Sequence, residues 1–149
     1  MGAGKSAIGC RLGVRLGLEF VDADVEIEAS AGKTITEMFE LHGEAAFRKC
    51  ERRVIRRLLA GPVRVLATGG GAFIDSKTRF VIREQALSIW LRADLDTLYR
   101  RVLRRDDRPL LAAGDPRKIL ATLIEGRYPI YGLADIVVDS ADGSRDEMV

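Results

Sequence analysis

Short apolar runs alternate along the chain with longer stretches in which apolar residues recur every three or four positions. That alternation predicts strands separated by helices. Residues 6–16 place Ile8, Leu12 and Leu16 on one face and end at Gly17, the pattern of a short helix. A strand over 19–21 closes at Asp22-Ala23-Asp24. Thr34-x-x-Glu37 is a capping box opening a helix to about residue 41, and a longer amphipathic helix over 44–60 ends at Gly61-Pro62. Residues 64–67 read as a buried strand running into Thr68-Gly69-Gly70-Gly71. A helix over 76–85 precedes a strand over 87–91, and Asp94 caps a helix to about residue 104. Asp115-Pro116 opens the next helix, and a strand over 136–138 comes last. Strands joined by helical crossovers mean an α/β fold built on a parallel sheet. No repeat or linker divides the chain, which reads as one domain over residues 1–149.

Composition narrows the function classes. Of the 149 residues 47% are hydrophobic and the net charge is +2, so the chain has the makings of a packed core rather than of a disordered segment. No apolar run approaches the ~20 residues of a membrane span, and the first residues lack the apolar heart of a signal peptide. Cys10 and Cys50 are too few for a disulfide framework, so a cytoplasmic setting is expected; both fall within helices and read as packing residues. Only five of the 24 basic residues are lysines, a bias that a GC-rich genome also produces. The 22 acidic residues are interspersed among them, and no basic tail implies nucleic-acid binding. Arg52-Arg53 and Arg56-Arg57 read as solvated helix faces.

Gly2-Ala3-Gly4-Lys5-Ser6 is the second half of a phosphate-binding loop. Its glycines let backbone amides turn toward phosphate oxygens at a helix N-terminus. Lys5 would reach the β- and γ-phosphates, and the Ser6 hydroxyl would ligate Mg²⁺. Asp22 and Asp24 close a strand at the sheet edge where ligands bind. If that segment stays extended, both carboxylates face one side, one for a metal and one for a substrate hydroxyl; alternatively Asp24 caps the next helix. Three successive glycines at 69–71 cost chain entropy that a plain turn does not require, which points to close approach of a ligand. Arg48 lies one helical turn before Glu51, which could hold it. Arg108-Pro109-Leu110-Leu111 falls in a polar connection suited to a lid. Arg127-x-Pro129-x-Tyr131 comes late in a helix that Pro129 bends or ends. His42 has no ligand partner of its kind, and Trp90 reads as core or sheet edge.

Taken together, Gly-Ala-Gly-Lys-Ser (2–6), Asp-Ala-Asp (22–24), Phe-Arg-x-x-Glu (47–51), Thr-Gly-Gly-Gly (68–71), Arg-Pro-Leu-Leu (108–111) and Arg-x-Pro-x-Tyr (127–131) resemble the shikimate kinases, in order and spacing, from residue 1 to about 139. The resemblance implies a three-layer P-loop kinase fold and Mg²⁺- and ATP-dependent phosphorylation of the 3-hydroxyl of shikimate. It implies that Gly2, Ala3, Gly4, Lys5, Ser6 and Ala7 bind ATP, with Arg104 or Arg105 near the adenine, and that Ser6 and Asp22 hold the metal. Asp24 would position the attacking hydroxyl, and Arg48 and Arg127 would pair with the substrate carboxylate. Gly69, Gly70 and Gly71 would line the substrate, with backbone amides of the last two meeting its hydroxyls. Lys5, Asp24 and Arg108, the last in a lid over about 105–116, would carry catalysis, and residues of about 24–60 would supply the substrate-binding helices. A cytoplasmic monomer binding shikimate and ATP, without nucleic acid or membrane, is the matching expectation.

The family's chain begins with a central strand and the first glycine of the loop, both absent upstream of Met1 here. Their absence would leave two strands short of a ladder partner, at about 1–3 kcal/mol for each buried group left unpaired. An upstream extension of the native protein is therefore expected, with poor ATP binding and marginal folding without it. Two rival readings stand beside this one: another small-metabolite P-loop kinase, of the gluconate type, and an inactive nucleotide-binding relative.

Overall fold

The computed structural model describes residues 3–103 and 115–140. Gly2, Arg104, Arg105 and Arg108, with most of the expected lid, lie outside the described residues. The chain forms two compact units, one of Ser6–Leu87 and one of Met1–Lys5 with Ser88–Met148.

In the first unit, helix α1 (Lys5–Leu16) leads to strand β1 (Phe20–Asp22). The helix lies close to the strand through glycines. A Cβ on Gly9 would come within 2.6 Å of the Phe20 ring, and one on Gly13 within 2.9 Å of the Leu18 carbonyl. That contact rotates the helix from the expected face, so Ile8 is buried while Leu16 stays 58% exposed. Cys10 is likewise exposed rather than packed, whereas Cys50 lies against the core.

Helix α2 (Ala23–Ala31) follows β1 without a break, which corrects the extended reading of Asp22-Ala23-Asp24. Asp22, at φ −99° and ψ 118°, is the N-cap and accepts a hydrogen bond from the Asp24 amide, 3.0 Å away. Cap rather than Asp24, it turns the chain helical at Ala23 because its carboxylate satisfies an otherwise unpaired amide. Helix α3 (Ile35–Leu59) opens with the expected capping box of Thr34 and Glu37. Its two predicted parts meet at Gly43, whose φ of 74° lets the helix direction change. Exposed His42 sits beside that kink. Strand β2 (Val65–Ala67) pairs with β1 in parallel, Phe20 opposite Val65 and Asp22 opposite Ala67, and helix α4 (Ser76–Gln85) follows. Ala23, Ile27, Phe47, Val54, Ile55, Ala72 and Ile82 form the core of this unit. The register brings the carboxyl ends of both strands, and thus Asp22 and the glycine triplet, to one edge.

In the second unit, strands β3 (Ile89–Arg92) and β4 (Ile136–Asp139) pair in parallel, Ile89 opposite Ile136 and Arg92 opposite Asp139. The strand starts two residues later than expected because Ser88 is held by the Asp135 carboxylate, its amide at 2.8 Å. Helix α5 (Leu95–Leu103), capped by Asp94, and helix α6 (Pro116–Tyr131), capped by Asp115, enclose Ala93, Leu98, Val102 and Leu120. Trp90 packs edge-on to Tyr128, with ring centroids 4.8 Å apart, and against Tyr131 at 5.9 Å. Pro129 lies inside α6, which continues two residues beyond it. Among the described residues, β1–β2 and β3–β4 are the ladders, and both are parallel as the alternation predicts.

Candidate active site

The phosphate loop enters α1 through Gly4, whose φ of 85° is open to glycine at little cost. Lys5 is then the first residue of α1 and is exposed. One residue on, the Ser6 hydroxyl donates to Oδ2 of Asp22 at 3.1 Å, joining the start of α1 to the end of β1. Both oxygens of Asp22 are thereby occupied, one by Ser6 and one by the cap. Ser6 and Asp22 offer hard oxygen donors at a helix N-terminus, a donor set that suits Mg²⁺. Among the described residues no group of three or more His, Cys, Asp or Glu side chains could hold a metal.

Across the same edge, the glycine triplet meets two charged side chains. A Cβ on Gly69 would stand 2.9 Å from Oδ1 of Asp24 and 3.6 Å from Oε1 of Glu51. One on Gly71 would stand 2.6 Å from Nη1 and 2.7 Å from Cζ of Arg48. Neither glycine has a positive φ, so a side chain at either would meet no backbone strain but would displace the Asp24 carboxylate or the Arg48 guanidinium. The triplet is thus the surface on which a carboxylate and a guanidinium are brought together. Beyond it the loop closes tightly: the Gly69 carbonyl accepts from Ala72, and the Gly71 carbonyl from Ile74 and Asp75.

Arg48 is fixed as its spacing from Glu51 predicts. Nη1 donates to Glu51 at 2.6 Å, and Nε and Nη2 donate to Glu44 at 3.3 Å. The guanidinium also lies 5.0 Å from the centroid of the Phe47 ring. Burial works against its charge, but the Glu51 and Glu44 carboxylates outweigh it and hold the Arg48 pKa above its ordinary value. Glu51, 1% exposed, carries the opposite tension. Its burial, aided by the charges of Asp24 and Asp75, pushes its pKa up against the pull of Arg48.

The second unit carries the remaining candidates. Arg127 is half-buried in α6, beside Tyr128, whose hydroxyl donates to the Ala93 carbonyl. The Ala3 carbonyl of the phosphate loop accepts from the hydroxyl of Ser140 at 3.2 Å. That hydroxyl in turn accepts from Nη1 of Arg101 at 2.8 Å. Ser140 and Arg101 were not singled out by the sequence reading. For Ser140 the available signal was its position directly after β4, at the carboxyl edge of a parallel strand.

A family model for shikimate kinase matches residues 1–149. The chain belongs to the shikimate kinase family. It is 59% identical over 142 residues to a shikimate kinase of Paramagnetospirillum magneticum, an alignment covering 95% of this chain and 73% of that protein. It is 56% identical to one of Rhodopseudomonas palustris, covering the whole chain and 73% of the relative. Among solved structures, the Acinetobacter baumannii shikimate kinase in complex with shikimate is similar at a TM-score of 0.90 and 35% identity, with 99% of this chain and 83% of that one covered. The family's three-layer P-loop α/β fold is therefore this chain's fold.

Proposed function

We propose that this chain transfers the γ-phosphoryl group of ATP to the 3-hydroxyl of shikimate, giving shikimate 3-phosphate and ADP in aromatic amino-acid biosynthesis. The observation that carries this reading is the placement of Asp24 against Gly69 and of Arg48 against Gly71. A proton acceptor and a cation for a substrate carboxylate share one glycine surface, as phosphorylation of a small hydroxy acid requires. The backbone amides of Gly70 and Gly71 meet the substrate's hydroxyls, and Arg48, stiffened by Glu51 and Glu44, fixes its carboxylate. Asp24 then orients the attacking hydroxyl and takes its proton as the bond to phosphorus forms. Phosphoryl transfer asks for positioning and charge stabilisation more than for covalent chemistry, so pre-set side chains do much of the work.

Mg²⁺, held by Ser6 and by Asp22 in support, would neutralise charge on the β- and γ-phosphates. Lys5, Arg108 and Arg127 take their roles from the family's motifs: Lys5 on the phosphates, Arg108 on the transferring group and Arg127 on the carboxylate. The same basis assigns Gly2, Ala3, Gly4 and Ala7 to ATP, with Arg104 or Arg105 near adenine. The family resemblance is likewise the basis for a cytoplasmic monomer. Among the described residues no helix is long and apolar enough to cross a membrane.

An ADP-release assay with Mg-ATP and shikimate, gluconate or AMP tests the reading. Turnover with shikimate, at least about a hundredfold above the other two in kcat/KM, is expected. Preference for gluconate would support the rival kinase, and absence of turnover with all three would support an inactive relative.

A further inference from the structure

We propose that Arg79 is a positioning residue for the shikimate-binding glycine loop, an inference that rests on the reading above in which Gly70 and Gly71 meet the substrate. Residues 72–74 connect that triplet to Asp75, the N-cap of α4. Arg79, in the second turn of α4, reaches back over the connection. Its Nη1 donates to the Phe73 carbonyl at 2.7 Å and to the Ile74 carbonyl at 3.0 Å. The guanidinium lies 6.0 Å from the centroid of the Phe73 ring and is half-buried.

Two consecutive carbonyls converging on one nitrogen require a tight backbone turn, because successive carbonyls of an extended chain point to opposite sides. Without a donor between them these oxygens repel, and partly buried carbonyls without a partner favour an opened turn. The turn also includes the hydrogen bonds from the Ile74 and Asp75 amides to the Gly71 carbonyl, at 3.1 and 3.2 Å. Opening it would move the Gly71 backbone from beneath the Arg48 guanidinium. Arg79 thereby ties the substrate surface to a capped helix, its guanidinium donating to the loop's backbone. A lysine keeps one charged donor but not the planar group that rests on Phe73, so it replaces part of the function.

The test uses the full chain with Arg79→Met and Arg79→Lys, measuring kcat, KM for each substrate, shikimate affinity by calorimetry, and Tm. For Arg79→Met the expected result is a rise of about tenfold in KM and Kd for shikimate, with KM for ATP changed less than about twofold. Arg79→Lys should fall between the two proteins, and it keeps the test decisive if the methionine variant does not fold. Unchanged shikimate affinity in Arg79→Lys and Arg79→Met would overturn the proposal, as would a lowered Tm with unchanged KM, which marks a purely structural residue. Gly71→Ala, measured in parallel, separates the two levels. Normal shikimate affinity in that variant overturns the substrate reading and this inference with it, whereas impaired affinity there beside normal Arg79 variants overturns the role of Arg79 alone.

Discussion

Gly71 has no room for a side chain beneath the Arg48 guanidinium, and its backbone needs no unusual φ. Gly71→Ala is therefore a test of space alone. It should displace Arg48 and raise KM for shikimate by about tenfold or more, since a misplacement on the order of 1 Å can cost up to a hundredfold. The melting temperature should fall as well, because displacing Arg48 takes from the buried Glu51 carboxylate its ion-pair partner. Asp24 is held by geometry of a different kind, in the first turn of α2 just after the Asp22 cap. Asp24→Asn keeps the shape and removes the proton acceptor. Turnover should fall by about 10²–10⁴-fold while ATP affinity, read by calorimetry, stays nearly intact. Full activity in that variant would refute the role of Asp24.

Glu51 gives a pH dependence with a definite sign. Its carboxyl titrates above the ordinary 4.5 in the folded protein, because burial disfavours its charge more than Arg48 favours it. The folded state thus binds the proton more tightly than the unfolded one, and this contribution to stability is lost as pH rises from 4.5 through the raised value. Glu51→Gln has no such titration. The stability of the unmodified chain relative to that variant should fall across this window and then level off, in denaturant titrations at a series of pH values. A flat difference would contradict the assignment.

At the scale of elements, the glycines of α1 act as a packing surface. Gly13→Ala would press a methyl group against the Leu18 carbonyl, a backbone atom that cannot rotate away. A loss of about 1–3 kcal/mol in unfolding free energy is expected, because overpacking forces the helix off the strand. Sequence periodicity carried the helices and strands well where local chemistry fixes them, as at Thr34 and Glu37, at Asp75 and at Asp94. It failed at Asp22-Ala23-Asp24, where alternation suggested an extended segment but an aspartate cap started a helix one residue after the strand. It also missed which face of α1 is buried, since two glycines bring that helix closer to Phe20 than a count of large apolar residues suggests. At the site, Arg48 and Glu51 were legible because one helical turn joins them. The Arg79 contacts to Phe73 and Ile74, and the Ser140 contact to Ala3, were not legible, because they depend on loop conformation or bridge residues 137 positions apart.

At the scale of the whole molecule, the net charge of +2 and the arginine-rich composition say little about function. Particular arginines are set apart by what they touch: Arg48 over Gly71, Arg79 on the Phe73 and Ile74 carbonyls, and Arg101 on the Ser140 hydroxyl. The residues with proposed roles fall in both units. The first holds Ser6, Asp22, Asp24, Arg48 and the glycine triplet, and the second holds Lys5 and Arg127. The central claim is that this chain directs phosphate to one hydroxyl of shikimate. Phosphorus–proton correlation by NMR of the product formed with Mg-ATP tests it most directly. A single new phosphate coupled to the proton on carbon 3, formed in step with ADP and lost in Asp24→Asn, is the predicted result. ADP release without a shikimate phosphate, or phosphate on another hydroxyl, would contradict it.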